Sequence, residues 1–333
     1  MATELGNAPV AANLLPDAKF FSTAKSVQSQ EDCLQFFEKK YGESSAAGDS
    51  KGGASNRAFQ QAVASFGEQL RKVDCLRFVY KVATHSVEGF VLQPKGEAVD
   101  ALKKLPAIIY NRGGNDTFAF ITPSVVMMDF SFLALKGFVV IATQYRGAKV
   151  WGDNAGFDIG QDEYGGKDVD DVAALLPVLA GMPKVDAQRI GMMGVSRGGM
   201  MTYLAAKNNP KIKAICVVSG FADLVDEAKR RPDLEKGALS RLIPDFQNNK
   251  DAALKARSVV YWPDQLDKKM PVLLIHGTKD SRVAVDNTIK LADLLKQRAH
   301  PHKLLLYPEA GHDLSPHWFA ARDEIVNWFA EKL

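Results

Sequence analysis

Cysteine is scarce in this 333-residue chain, with Cys33, Cys75 and Cys216 alone, and no Cys-x-x-Cys or His-Glu-x-x-His pattern occurs. A structural zinc site or a zincin-type catalytic metal is therefore not expected, and no cofactor is implied. No run of 18 apolar residues exists, which argues against a membrane-spanning helix. A basic block, or a basic stripe interleaved with aromatics, is also missing, and the net charge of +3 is spread among mixed signs. That excludes the usual footprint of a nucleic-acid partner. Residues 1–16 have neither a basic start nor a continuous apolar stretch, so no signal peptide is expected. With so few cysteines, the expected location is the cytoplasm. Cys216 falls in the apolar run 212–218 and reads as a buried strand residue, whereas spacing alone leaves open whether Cys33 and Cys75 pair. The sequence carries no internal repeat and no signature of an oligomeric state.

What is present is apolar material, 46% of the chain, enough to bury one large core. The chain divides near residue 72. Residues 1–71 hold two predicted helices, 30–40 and 57–72, joined by a Gly/Ser-rich linker at 42–53. This N-terminal extension is too small for a core of its own and is expected to drape over the rest. From Cys75 onward, strand and helix patterns alternate as in a doubly wound, mostly parallel sheet. A hairpin (77–84 with 89–92) is followed by apolar strands 105–110 and 138–144, a helix 169–180 and a strand 190–193. Residues 221–268 carry helix patterns broken at Pro232 and Pro244 and many charges, the character of a cap inserted between core strands.

Chemistry enters at Gly194-Val195-Ser196-Arg197-Gly198. A bare Gly-x-Ser-x-Gly is weak evidence, but here an apolar strand precedes it and good helix formers follow. Strand, sharp turn and helix are what a nucleophile elbow requires, and the helix N-terminus offers backbone N–H groups where an oxyanion would form. A serine nucleophile needs a base, and the base an orienting carboxylate, in the chain order Ser, Asp or Glu, His. The buried strand ending at His276 runs into Gly277-Thr278-Lys279-Asp280. The next strand, 302–308, runs into Glu309-Ala310-Gly311-His312. Ser196, Asp280 and His312 are thus delivered to one sheet edge in the expected order. Among the six histidines, His276 reads as a packed strand residue, His300 and His302 as loop residues, and His317 as the start of the last helix. Asp286, the rival to Asp280, reads as the start of helix 287–297.

From Cys75 to its end the chain resembles the catalytic domain of the prolyl oligopeptidase family of serine hydrolases. The resemblance rests on Gln144-Tyr145-Arg146-Gly147 after a strand, on Asp162-Glu163-Tyr164-Gly165-Gly166-Lys167-Asp168, on the second glycine in Ser196-Arg197-Gly198-Gly199, and on His276-Gly277-x-x-Asp280. The separations of 84 residues from Ser196 to Asp280 and 32 from Asp280 to His312 also match. It implies an α/β-hydrolase fold with a helical cap at 221–268, catalytic residues Ser196, Asp280 and His312, and no cofactor or metal. Two departures stand out. Members best known as peptidases carry a β-propeller ahead of this domain, whereas here about 70 residues precede it. Where several members place an oxyanion-binding tyrosine, this chain has Arg112, followed by Gly113 and Gly114. The oxyanion site is therefore expected from the backbone of Arg197 and from Gly113, with the Arg112 guanidinium as a further donor or else in an ion pair with a carboxylate. The family pattern also implies that Arg282 contacts a substrate carbonyl and that Val283 lines the pocket beside the cleaved bond.

The expected function is a serine hydrolase that cleaves an ester or peptide bond through an acyl-enzyme, acting on small esters or short peptides. A carboxylesterase without peptidase activity is the alternative suited to an open site, and a silent hydrolase fold serving as a binding protein is a third reading that an intact triad opposes.

Overall fold

A computed structural model describes residues 27–33, 72–96, 104–116, 118–122, 125–148 and 158–333. Four short strands made almost wholly of buried apolar residues form its centre: β4 (Leu105–Asn111), β5 (Val139–Thr143), β7 (Ile212–Val218) and β8 (Val272–Gly277). Strands with no polar face are stable only in a sheet covered on both sides. With β1 (Val27–Asp32), β2 (Val73–Val82), β3 (His85–Pro94), β6 (Val185–Val195) and β9 (His302–Tyr307) they build one sheet in the order β1-β2-β3-β5-β4-β6-β7-β8-β9. The first three pairings, β1–β2, β2–β3 and β3–β5, are antiparallel, and every pairing from β5 to β9 is parallel. This is the expected α/β-hydrolase sheet.

Alternation along each strand divides the core in two. Ile109, Ile141, Met192, Ile215 and Leu274 face helices α1 (Asp168–Ala173), α2 (Leu175–Ala180), α3 (Arg197–Ala206) and α6 (Val285–Gln297). Their neighbours Ile108, Val140, Met193, Cys216 and Leu273 face residues 126–134 and helix α7 (Trp318–Lys332). The period of two places each residue's neighbour on the opposite face. Cys216 is a free buried thiol whose pKa burial pushes up. Between β7 and β8 lies the predicted cap, which includes helices α4 (Leu224–Arg230) and α5 (Phe246–Ala256). Among the described residues no helix is long and apolar enough to cross a membrane.

Three expectations need correction or fall outside the description. The single helix at 169–180 is two, parted at Ala174, because Pro177 has no N–H to continue the ladder. Residues 30–32, expected to open a helix, belong instead to edge strand β1, with Glu31 opposite Arg77 in register. Periodicity cannot register such pairing, since the partner strand lies some 45 residues away. The remainder of that helix, the linker and the helix at 57–72 lie outside the described residues up to position 71. Cys33, next to β1, forms a disulfide with Cys75 of β2, with Cα atoms 5.3 Å apart, and this closes the pairing that the sequence left open.

Candidate active site

Ser196 stands between β6 and α3 with φ 59° and ψ −125°, a left-handed backbone that a non-glycine residue holds at a cost of about 1–3 kcal/mol. Its surroundings over-determine that strain. The Ser196 N–H donates to the Val218 carbonyl (2.9 Å), and the Ser196 carbonyl accepts from Gly199 (2.9 Å). A Cβ on Gly198 would lie 1.9 Å from the Asn111 carbonyl oxygen, so only glycine lets α3 approach the end of β4 this closely. The Asn111 amide donates to Thr202 Oγ1 (2.9 Å), and the Thr202 hydroxyl donates to the Gly198 carbonyl (2.8 Å), fixing the same junction.

The Asp280 and His312 loops leave β8 and β9 side by side and are laced together. Thr278 N–H donates to the Tyr307 carbonyl (3.0 Å), and Lys279 N–H to the Ala310 carbonyl (2.9 Å). His312 Nδ1 lies 2.8 Å from Asp280 Oδ2, while Asp280 Oδ1 accepts from the N–H groups of Arg282 (2.8 Å) and Val283 (3.0 Å). Burial pushes the Asp280 carboxyl upward, but the bonds from His276, His312 and Val283 outweigh it and hold the pKa well below the usual range. The group is therefore a carboxylate throughout neutral and mildly acid conditions.

His276 is packed and hydrogen-bonded, as read from the sequence, yet it does more than fill space. Its Nε2 lies 3.1 Å from both Asp280 Oδ2 and the Val283 carbonyl, and its Nδ1 lies 2.7 Å from Thr288 Oγ1. Two acceptors at Nε2 assign the proton there, leaving Nδ1 to accept from the threonine hydroxyl. A second histidine thus donates to the aspartate, and only the His276-Gly277-x-x-Asp280 spacing hinted at it.

Ser196 and His312 line one cavity of about 360 Å³, together with Gly114, Phe118, Arg282 and Val283. They are not hydrogen-bonded to each other, a looseness common in free enzymes. Val283 is fully buried, whereas Arg282 is exposed, with its guanidinium 6.0 Å from the centre of the Phe118 ring. Gly113 is beside Ser196, for a Cβ there would lie 3.3 Å from Ser196 Cβ. The segment between β7 and β8 also lines this cavity, through Arg231, Leu234 and Ala238. It is tied down at Ala284 N–H and the Asn287 amide, both donating to Glu227 Oε1 (2.6 and 2.9 Å), and at Arg231, which donates to the Arg282 carbonyl (3.0 Å).

Two arginines differ from expectation. The Arg112 guanidinium is buried and spends its donors on carbonyl oxygens: Gln144 twice (2.9 and 2.7 Å), Gly113 (2.9 Å), Asp116 (2.9 Å) and Phe118 (3.3 Å). It neither reaches toward an oxyanion nor pairs with a carboxylate; it holds the Gly113, Asp116 and Phe118 carbonyls in place. Burial and the nearby Arg197 charge lower its pKa to about 10. The Arg197 side chain, which the sequence reading passed over, is also buried. Its two terminal nitrogens grip Asp162 in a fork (2.6 Å each), and it bonds Asp168 (2.5 Å) and the Gly114 carbonyl (2.9 Å). The rings of Tyr145 and Tyr164 flank it at 5.1 and 4.5 Å. The acidic motif at 162–168 is thereby explained as the counter-charge of Arg197, the residue next to Ser196.

Residues 124–333 match the profile of the prolyl oligopeptidase family. An uncharacterized peptidase of Bacillus subtilis, YtmA, is 30% identical over 210 residues, covering 62% of this chain and 76% of its own length. Dipeptidyl-peptidase 5 of Porphyromonas gingivalis is 27% identical over 222 residues, 64% of this chain but 31% of the relative. The solved acylaminoacyl peptidase of Pyrococcus horikoshii superposes with a TM-score of 0.66 at 19% identity, over 81% of this chain and 44% of that one, which bears on the fold. The chain therefore spans under half the length of these last two proteins. Both Arg112 and Gly113 lie upstream of the matched residues.

Proposed function

The chain belongs to the prolyl oligopeptidase family of serine hydrolases, and from that premise we propose that it cleaves peptide bonds through an acyl-enzyme on Ser196. The observation that carries this reading is the 2.8 Å contact of His312 Nδ1 with a deprotonated Asp280, in a cavity that also exposes the strained Ser196. In the proposed sequence, Ser196 Oγ attacks the carbonyl carbon while its proton passes to His312 Nε2. The backbone N–H groups of Arg197, an orphan donor of the first helical turn, and of Gly113 hold the oxyanion. The C–N bond then breaks, and His312 returns the proton to the leaving nitrogen. Water attacks the acyl-enzyme with His312 again as base. Asp280 fixes the tautomer with Nδ1–H toward itself and stabilises the imidazolium. Arg282 and Val283 supply the acyl-side contacts, a guanidinium for a substrate carbonyl and an apolar wall, in a space suited to short peptides or small acyl groups.

A fluorophosphonate probe should label the protein at Ser196, located by peptide mapping, and labelling should vanish in Ser196→Ala. The labelled site being elsewhere, or absent, would sink the reading. Turnover of aminoacyl and dipeptidyl p-nitroanilides is expected beside p-nitrophenyl esters; turnover of the esters alone would convert the assignment to a carboxylesterase.

The disulfide bears on location. A bond between Cys33 and Cys75 persists in an oxidising compartment rather than in the reducing cytoplasm, so we propose such a compartment in place of the cytoplasmic expectation. Protein isolated from its native host and denatured without reductant should titrate one thiol, that of Cys216, and three after reduction. Three thiols before reduction would restore the cytoplasm.

A further inference from the structure

His312 borders two cavities. Besides the one shared with Ser196, a space of about 590 Å³ opens against His312, walled by Tyr110, Asp129, Val195, Trp318 and Phe319 among others. Its size is that of a ligand site, and no step described so far uses it. In acyl transfer the imidazole must hand its proton to the departing atom, so the departing portion extends past the imidazole and not past the oxyanion donors or Arg282. We propose that this second cavity is the subsite for the leaving portion of the substrate, and that it favours an aromatic leaving group and disfavours an acidic one. The proposal rests on the serine-hydrolase reading above.

Its chemistry follows from the walls. Trp318 and Phe319 open α7, and Phe319, 72% exposed, presents an aromatic ring to the cavity against which another ring can pack. Tyr110 at the end of β4 and Val195 before the nucleophile continue the apolar surface inward. The acidic groups at the cavity are Asp129 and Asp313, and its described walls include no lysine or arginine. The cation that acts on Asp129 is Arg322, whose guanidinium lies over the Phe132 and Phe319 rings at 4.4 and 5.7 Å. Burial raises the Asp129 carboxyl to about 6, against the pull of Arg322 and the Tyr110 hydroxyl, so near pH 7.5 it is mostly ionised and repels a carboxylate. When the tetrahedral intermediate collapses, the bonding pair goes to the leaving nitrogen or oxygen, which takes the proton from His312 Nε2. The neutral amine or alcohol then occupies this cavity before it departs.

Partitioning of one acyl-enzyme isolates the subsite from the acyl side. Acetyl-enzyme formed from p-nitrophenyl acetate is offered phenylalaninamide, glycinamide or aspartic acid α-amide at equal concentration, and the acetylated amine is measured against acetate. Phenylalaninamide should capture the acyl group about ten-fold better than glycinamide, and the aspartate amide several-fold worse. Trp318→Ala and Phe319→Ala should bring the phenylalaninamide-to-glycinamide ratio toward one, and Asp129→Asn should lift the aspartate amide toward glycinamide. Because each ratio is internal to a variant, a general loss of active enzyme divides out. A ratio near one in the unaltered protein, or one unchanged by these substitutions, overturns the subsite while fluorophosphonate labelling of Ser196 leaves the hydrolase standing. Loss of that labelling and of acetyl-enzyme together overturns both.

Discussion

Ser196→Ala and His312→Ala are each expected to lower kcat by about a million-fold, with the double variant scarcely worse, because the two groups act as one unit. Circular dichroism and the unfolding midpoint should stay close to those of the parent, since neither side chain anchors the core. Asp280→Asn is expected to be milder in turnover, about ten-thousand-fold down, through the wrong tautomer of His312, yet more damaging to stability. The geometry gives the reason. Asp280 Oδ2 receives bonds from His312 and His276, and Oδ1 receives two from the backbone N–H groups of Arg282 and Val283. An asparagine has one oxygen, so in either orientation its NH2 faces donors. A buried donor without an acceptor costs about 1–3 kcal/mol. More than a tenth of parental activity in Ser196→Ala, measured on any substrate the parent turns over, would remove the serine from the mechanism. Unchanged stability in Asp280→Asn would mean that the loop relaxes around the amide.

The grouping of Ser196, Asp280 and His312 was legible because each of its parts is local. A glycine-flanked serine between strand and helix, an acidic residue just past a buried strand and a basic one just past the edge strand that follows can be read in windows of ten residues, and the parallel sheet then brings the strand ends together. Arg112 was misread because a guanidinium goes where acceptors are: the Gln144 carbonyl comes within reach only when β4 and β5 pair, and the Asp116 and Phe118 carbonyls, four and six residues on, turn toward it only in the folded loop. The strand at 27–32 was missed for the same reason: an edge strand is defined by its partner, here β2, and fastened beside it by a cysteine bridge that spacing alone could not assign. Arg197 hid in plain sight. Placed inside a catalytic motif, it was credited with its backbone N–H, and its side chain and the acidic motif at 162–168 were read separately although each is the other's partner.

Arg197→Met is therefore expected to destabilise the protein by about 3–5 kcal/mol at pH 7.5, measured by urea unfolding, because it strands two buried carboxylates. The loss should depend on pH in a stated direction. In the parent, burial opposes ionisation of Asp162, but the Arg197 charge and its hydrogen bonds prevail and hold the pKa below the ordinary aspartate value. That contribution to stability is complete above the unfolded-state pKa near 4 and fades only as pH falls through the lower folded value. Without Arg197 the same carboxyl keeps the bonds from the Tyr164 and Asp116 N–H groups but loses its main counter-charge, so burial prevails and its folded pKa is expected to rise above the unfolded value near 4. The variant then gains stability as acid protonates it, from about pH 7 downward. The gap between parent and variant should consequently narrow between pH 7.5 and pH 5. Turnover should fall as well, since the gripped side chain belongs to the residue whose N–H is proposed to hold the oxyanion. Arg197→Lys, a point charge without the fork, should recover part of the stability and less of the rate. A gap that stays constant with pH would show that Arg197 contributes packing between Tyr145 and Tyr164 and that the carboxylates find other partners when it is gone.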